Sequence, residues 1–252
     1  MARVLLPLPD RDFDVTEAAV PWRLLTDAGH EVVFATEHGA VAAGDPLLLT
    51  GVLFGKLGAD PEPRRFHAQM IESAAYRHPL RWSAIEPPDY HALLLPGGHA
   101  PGMRQYLGSE LLQARVAAFW QLQRPVAAIC HGVLVLARSK DPATGKSVLH
   151  QARTTSLTKA QERAAYLISF WKLGNYYRTY PAYVEDEVKA ALASPRQYER
   201  GPLALTTRGT GTDDSAAFVV EDGRYLSARW PGDAYLFARK LLQRLTPAAA
   251  PR

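Results

Sequence analysis

The feature that most constrains this chain is a β–loop–helix–Gly–β unit at its start. "RVLLPL" has the run of a strand, "TEAAVPWRLLTDAG" has helical apolar spacing and closes on a glycine, and "HEVVFAT" is a second strand. Two strands joined through a helix run parallel, because a parallel pair needs a crossover connection. The pattern recurs. "ALLLPGGH" is a buried strand ending in two glycines, "SELLQARVAAFWQLQ" an amphipathic helix, "PVAAI" the next buried strand, and "HGVLVLARS" the start of another helix. The fold class is therefore α/β: a three-layer sandwich with a mainly parallel central sheet.

Elsewhere the alternation is weaker. From Gly39 to Pro88 only one helix, around Arg64–Ala75, stands out. "AFVVEDGRYLSAR" reads as a late hairpin turning at "EDGR", and "PGDAYLFARKLLQRL" as a closing helix with proline in its first turn. "TPAAAPR", Thr246–Arg252, reads as a frayed tail. Residues 155–202 break the pattern with a helical stretch, "KAQERAAYLISFWK", and an aromatic run, "YYRTYPAYVEDEV". The expected organisation is one domain over residues 1–252, with an insertion at about 155–202 packed near the active edge of the sheet.

Composition removes several functions. The chain has 252 residues, 47% apolar and 21% charged, as a globular protein does. The net charge of +4 comes from scattered residues with no basic run, so nucleic acid is not an expected partner. There is no stretch of about 18 apolar residues, so no membrane span is expected. The N-terminus reads as a strand and not a signal peptide, which gives a cytoplasmic expectation. The single cysteine, Cys130, forbids an intramolecular disulfide, and no Cys/His spacing suggests a metal site. No cofactor is expected.

Cys130 lies where "PVAAI" gives way to "HGVLVLARS". Ligands of parallel α/β sheets sit at the carboxyl ends of the strands. A residue on a tight strand-to-helix turn projects clear of the sheet, and a helix N-terminus favours a thiolate. Gly132 leaves room for the bend. Cys130 is accordingly the candidate nucleophile and His131 its candidate base. The glycines of "LLLPGGH", Gly97 and Gly98, can bring backbone N–H groups into the same cleft. The Gly98 and His131 N–H groups are the oxyanion candidates, and His99 is a candidate cleft residue.

"AAICHG", "LLLPGGH" and "TEAAVP" together resemble the DJ-1/PfpI (ThiJ) family, within the class I glutamine-amidotransferase-like superfamily. The resemblance covers Arg3 to about Ser139 and the last hairpin and helix. It implies a flavodoxin-like sheet and a strained Cys130. It also implies that Glu17, four residues before Pro21, reaches the thiol. A carboxyl beside a thiolate has its pKa raised, so a protonated Glu17 can donate a hydrogen bond to the sulfur and pass a proton to substrate.

Many members orient the histidine with an acid. Glu185, Asp186, Glu187 and Asp233 are the candidates here, and an acid from a neighbouring subunit remains open. Arg178 and Tyr180, in the insertion, are candidates for gripping a substrate anion. Arg229 and Trp230 are further candidates. The aromatic cluster Trp171, Tyr176, Tyr177, Tyr180 and Tyr183 is read as core.

The resemblance implies cysteine-dependent chemistry on a small electrophilic carbonyl, of the glyoxalase III or deglycase kind. Amidase, peptidase or isonitrile-hydratase chemistry is the alternative, and a non-catalytic, redox-responsive stress protein or chaperone is another. Amidotransfer is disfavoured, because no H-x-E pair follows Cys130. The expected partners are a small-molecule substrate and a second copy of the chain in a homodimer.

Overall fold

The computed structural model describes residues 1–51 and 57–245; the tail expected at Thr246–Arg252 lies outside them. The strands are β1 (Arg3–Pro7), β2 (Arg11–Phe13), β3 (Glu31–Thr36), β4 (Ala43–Gly44), β5 (Leu80–Arg81), β6 (Ala92–Leu95), β7 (Val126–Ile129), β8 (Val219–Asp222) and β9 (Tyr225–Ala228). The helices are α1 (Val15–Asp27), α2 (Pro46–Thr50), α3 (Pro61–Glu72), α4 (Ala74–Arg77), α5 (Met103–Gly108), α6 (Glu110–Gln121), α7 (Gly132–Arg138), α8 (Lys159–Leu173), α9 (Val184–Ala191) and α10 (Ala234–Leu245).

Seven strands form the central sheet in the order β5-β3-β1-β6-β7-β9-β8. All pairs are parallel except β8–β9, the hairpin read from "EDGR". β6 and β7 are buried at every position, as strands covered on both faces must be. Helices α1, α3 and α10 pack against one another on one side, and α5, α6, α7 and α9 on the other. The sandwich therefore has the three layers the alternation demands. The closing helix begins three residues later than its proline implies, because Pro231–Asp233 form a 3-10 turn ahead of α10.

The stretch from 155 to 202 sits at the carboxyl end of the sheet. It is tied to β9 where Thr155 N–H donates to Ser227 Oγ at 2.9 Å, and the Thr179 hydroxyl meets His131 just beyond the end of β7 at 3.2 Å. α9 packs on α7, the helix that follows Cys130. No helix among the described residues is long and apolar enough to cross a membrane.

Candidate active site

Cys130 terminates β7 with its backbone in the left-handed region, φ +58°. That conformation costs a residue with a Cβ about 1–3 kcal/mol, and the surroundings hold it there. The Cys130 N–H is pinned to the Ala228 carbonyl of β9 at 3.0 Å. His131 then caps α7, and Gly132 is obligatory at the crossing: a Cβ on it would lie 2.2 Å from the Leu95 carbonyl oxygen. The bend thus presses directly on the end of β6.

Gly97 serves a related purpose. A Cβ there would stand 2.7 Å from the His131 nitrogen and 2.9 Å from both Cys130 Cβ and Glu17 Oε2. Its absence lets three distant segments meet. The Gly97 N–H donates to Glu17 Oε2 at 2.8 Å, so it holds the carboxyl and is not free to face an oxyanion. Gly98 has φ +154°. Among the described residues no carbonyl accepts from the N–H of Gly98 or of His131. The His131 N–H lies near enough to the Cys130 sulfur to favour a thiolate there.

Glu17 arrives on the first turn of α1. Asp14 caps that helix, accepting from Thr16 N–H at 2.8 Å and Glu17 N–H at 3.1 Å. Pro21 has no N–H to offer the Glu17 carbonyl, so the helix lacks that bond. The Glu17 side chain has no exposed surface, and its carboxyl lies within interaction range of the Cys130 thiol. Its second oxygen, Oε1, makes no well-formed hydrogen bond among the described residues. Burial, reinforced by Asp14, pushes the Glu17 pKa well above the carboxylate range. Burial likewise raises Asp14, to about 6.

The thiol differs from the sequence expectation. The helix N-terminus was expected to lower its pKa, but Cys130 is completely buried, and burial, with Glu17 and Asp14 nearby, pushes it up. With Glu17 protonated, burial remains the governing cause. The short α7 and the His131 N–H do not offset it. His131 is driven well below its ordinary range by burial, with His99 and Arg138 adding to the effect; burial takes His99 down to about 4. Burial thus favours the thiol at Cys130, the carboxylic acid at Glu17 and the neutral rings of His99 and His131.

The orientation of His131 comes from a residue the sequence reading passed over. Thr179 Oγ donates to the His99 carbonyl at 2.6 Å, which commits its one proton. It must then accept at its 3.2 Å contact with His131 Nε2. The proton of the neutral ring is thus on Nε2, and the bare Nδ1 faces the Cys130 sulfur at 3.5 Å.

None of the four candidate acids, Glu185, Asp186, Glu187 and Asp233, does that work. Glu185 is paired with Lys189 and Arg200, Asp186 with Lys159, Glu187 with Arg138, and Asp233 with Arg229. A lone threonine among many gives no sequence signal.

The two candidates for gripping an anion are also corrected. Arg178 points one arm at Glu162, 2.9 Å away, gives the other to the Pro181 carbonyl, and lies over the Tyr183 ring. The Tyr180 hydroxyl accepts from Arg138 at 3.2 Å, with that guanidinium 4.4 Å from its ring centre. Both residues brace the insertion. Arg229 is buried against Asp233 and carries no free charge. Of the aromatic cluster, Trp171 is exposed instead of core, and Tyr177 stands edge-on to His99 with ring centres 5.4 Å apart.

His99 does reach the site, its ring 4.9 Å from that of His131. Among the described residues, His99, Cys130 and His131 are the one group whose donor atoms, all within 4.8 Å of one another, have the makings of a metal site. Residues 31 positions apart gave no spacing to reveal it. Beside His99 opens a cavity of about 280 Å³, with Asp14, Tyr177 and Trp230 in its wall.

A parallel α/β sandwich carrying a buried, strained cysteine at a strand–helix turn defines a class of cysteine-centred proteins. Within that class the chain belongs to the ThiJ/PfpI-like family, whose model matches residues 8–202. A deglycase of Pyrococcus abyssi is 26% identical over 243 residues, covering 96% of this chain and 99% of that protein. A glutathione-independent glyoxalase of Schizosaccharomyces pombe is 28% identical over 150 residues, 58% of this chain and 60% of that one. Among solved structures, glyoxalase III from Candida albicans superimposes with a TM-score of 0.69 at 20% identity, over 96% of this chain and 97% of the other.

Proposed function

We propose that this protein is a cysteine-dependent enzyme that converts 2-oxoaldehydes to 2-hydroxy acids, as the glyoxalases among its relatives are named for doing. The observation that carries this reading is the meeting of Glu17, Cys130 and His131 in one buried cluster. Deglycation, named for the archaeal relatives, would begin from the same addition of sulfur to carbon.

The chemistry follows from the proton positions. Cys130 sulfur bonds to the aldehyde carbon while its proton passes to His131 Nδ1, and Glu17 gives its proton to the aldehyde oxygen. Glu17, now a carboxylate, removes the proton on that carbon, and His131 returns its own to the ketone oxygen. The resulting enediol loses its C1 hydroxyl proton to His131 and takes the Glu17 proton at C2. A thioester of the 2-hydroxy acid results, and water cleaves it, restoring the thiol. Burial of Glu17, Cys130 and His131 suits these steps, because it favours their uncharged forms until substrate reacts.

The test is proton NMR of methylglyoxal incubated with the protein. Wild type should form lactate, and Cys130→Ser should form none. Absence of lactate from wild type, or equal lactate from the variant, overturns the reading. As a further part of this proposal the chain forms a homodimer. α8 leaves Leu167, Phe170 and Trp171 exposed, and a second copy would cover such a surface. A monomer in sedimentation at micromolar concentration would contradict that part.

A further inference from the structure

The cavity beside His99 is far larger than a three-carbon aldehyde requires. One face of α8 builds a wall of it: Gln161, Ala164, Ala165 and Ile168 recur at i, i+3, i+4 and i+7. The two alanines leave the space that larger side chains would fill. Among the described lining residues, Leu57, Ile168 and Leu205 are exposed at 42–47% and so stand at its open side. Exposed apolar residues gathered around an opening mark a surface that meets an apolar ligand.

The inner end is polar. Asp14 belongs to the same helix start as Glu17, and His99 lies between the cavity and His131. His99 Nε2 is buried without a hydrogen-bond partner among the described residues, a condition that native proteins seldom leave unanswered. It is a polar group for a carbonyl oxygen to meet. An apolar pocket with a few polar groups at one end fixes a ligand's orientation.

We propose that the preferred substrate is a 2-oxoaldehyde bearing an aryl or branched alkyl group, with that group in the cavity under α8 and the dicarbonyl head toward Cys130. This rests on the oxoaldehyde chemistry proposed above. A cavity of about 150 Å³ accommodates one benzene ring. The 280 Å³ here takes a ring or a branched alkyl group, with the head at the His99 end. Methylglyoxal offers only a methyl group to the same lining. Cys130 is not in the cavity wall; His99 is, and its ring, 4.9 Å from that of His131, joins the cavity to the cysteine turn.

The experiment compares kcat/KM for phenylglyoxal and methylglyoxal in wild type, Ala164→Trp, which fills the cavity, and Ile168→Glu, which charges its mouth at an exposed position. Wild type should favour phenylglyoxal about 10-fold or more, and each variant should bring the ratio below about 3. Equal values in wild type, or a ratio unmoved in both variants, overturn the inference and leave the proposed reaction standing. If neither aldehyde is consumed, the proposed reaction falls. Acetophenone binding, followed by ligand-observed NMR, then decides for the cavity. Binding lost in Ala164→Trp supports an apolar ligand there; no binding, or binding the variant retains, overturns it.

Discussion

Thr179 sets the protonation of the site by arithmetic on a single hydroxyl proton. Its donation to the His99 carbonyl leaves only a lone pair for His131 Nε2–H. Thr179→Val removes that acceptor and frees His131 to place its proton on Nδ1, where it cannot accept from the thiol. Methylglyoxal turnover should fall about 10²-fold, the lower range for a positioned base. Thr179→Ser keeps the hydroxyl and should restore most of it. Equal activities in the valine and serine variants would contradict this role. The backbone of Thr179 is itself anchored, its carbonyl accepting from Arg104 at 2.7 Å, so the serine variant keeps its place.

At the scale of elements, α9 is fastened through Glu185. That carboxylate accepts from Lys189 and Arg200 and from the Lys159 N–H at the start of α8, although its side chain is 1% exposed. Burial alone would raise its pKa, but these three donors outweigh burial and hold it near 2. A carboxyl depressed in the folded state contributes stability that is complete above its unfolded pKa, about 4.5, and is lost as pH falls toward 2. Urea midpoints of wild type should therefore drop between pH 5 and pH 3. Glu185→Gln should be less stable by about 1–3 kcal/mol at pH 6, because it leaves buried donors unpaired, and its midpoint should change less across that window. Parallel pH dependence in the two proteins would contradict the assignment.

The long elements were legible because their apolar spacing runs over many residues: α1, α6 and the buried β6 and β7 fall where the pattern puts them. β4 and β5, of two residues each, and the six-residue α5 are too short to carry a period, and they were not read.

Across the whole molecule, the site unites positions 17, 97, 130 and 179. Cys130 was legible from the strand–helix switch around it, and Glu17 from its spacing to Pro21 in a known family pattern. Thr179 was not, since its meaning depends on a contact across 48 residues. The thiol's state was also misread. Sequence placed it at a helix start, but only the packed fold reveals that no solvent reaches it. The central claim is that Glu17 moves protons for a thiol it does not itself make reactive. Turnover of methylglyoxal and alkylation by iodoacetamide, measured side by side in wild type and Glu17→Gln, test that claim most directly. Turnover in the variant should fall about 10²-fold or more, because glutamine has no proton to transfer, while the alkylation rate should change little. Undiminished turnover by Glu17→Gln would contradict the account.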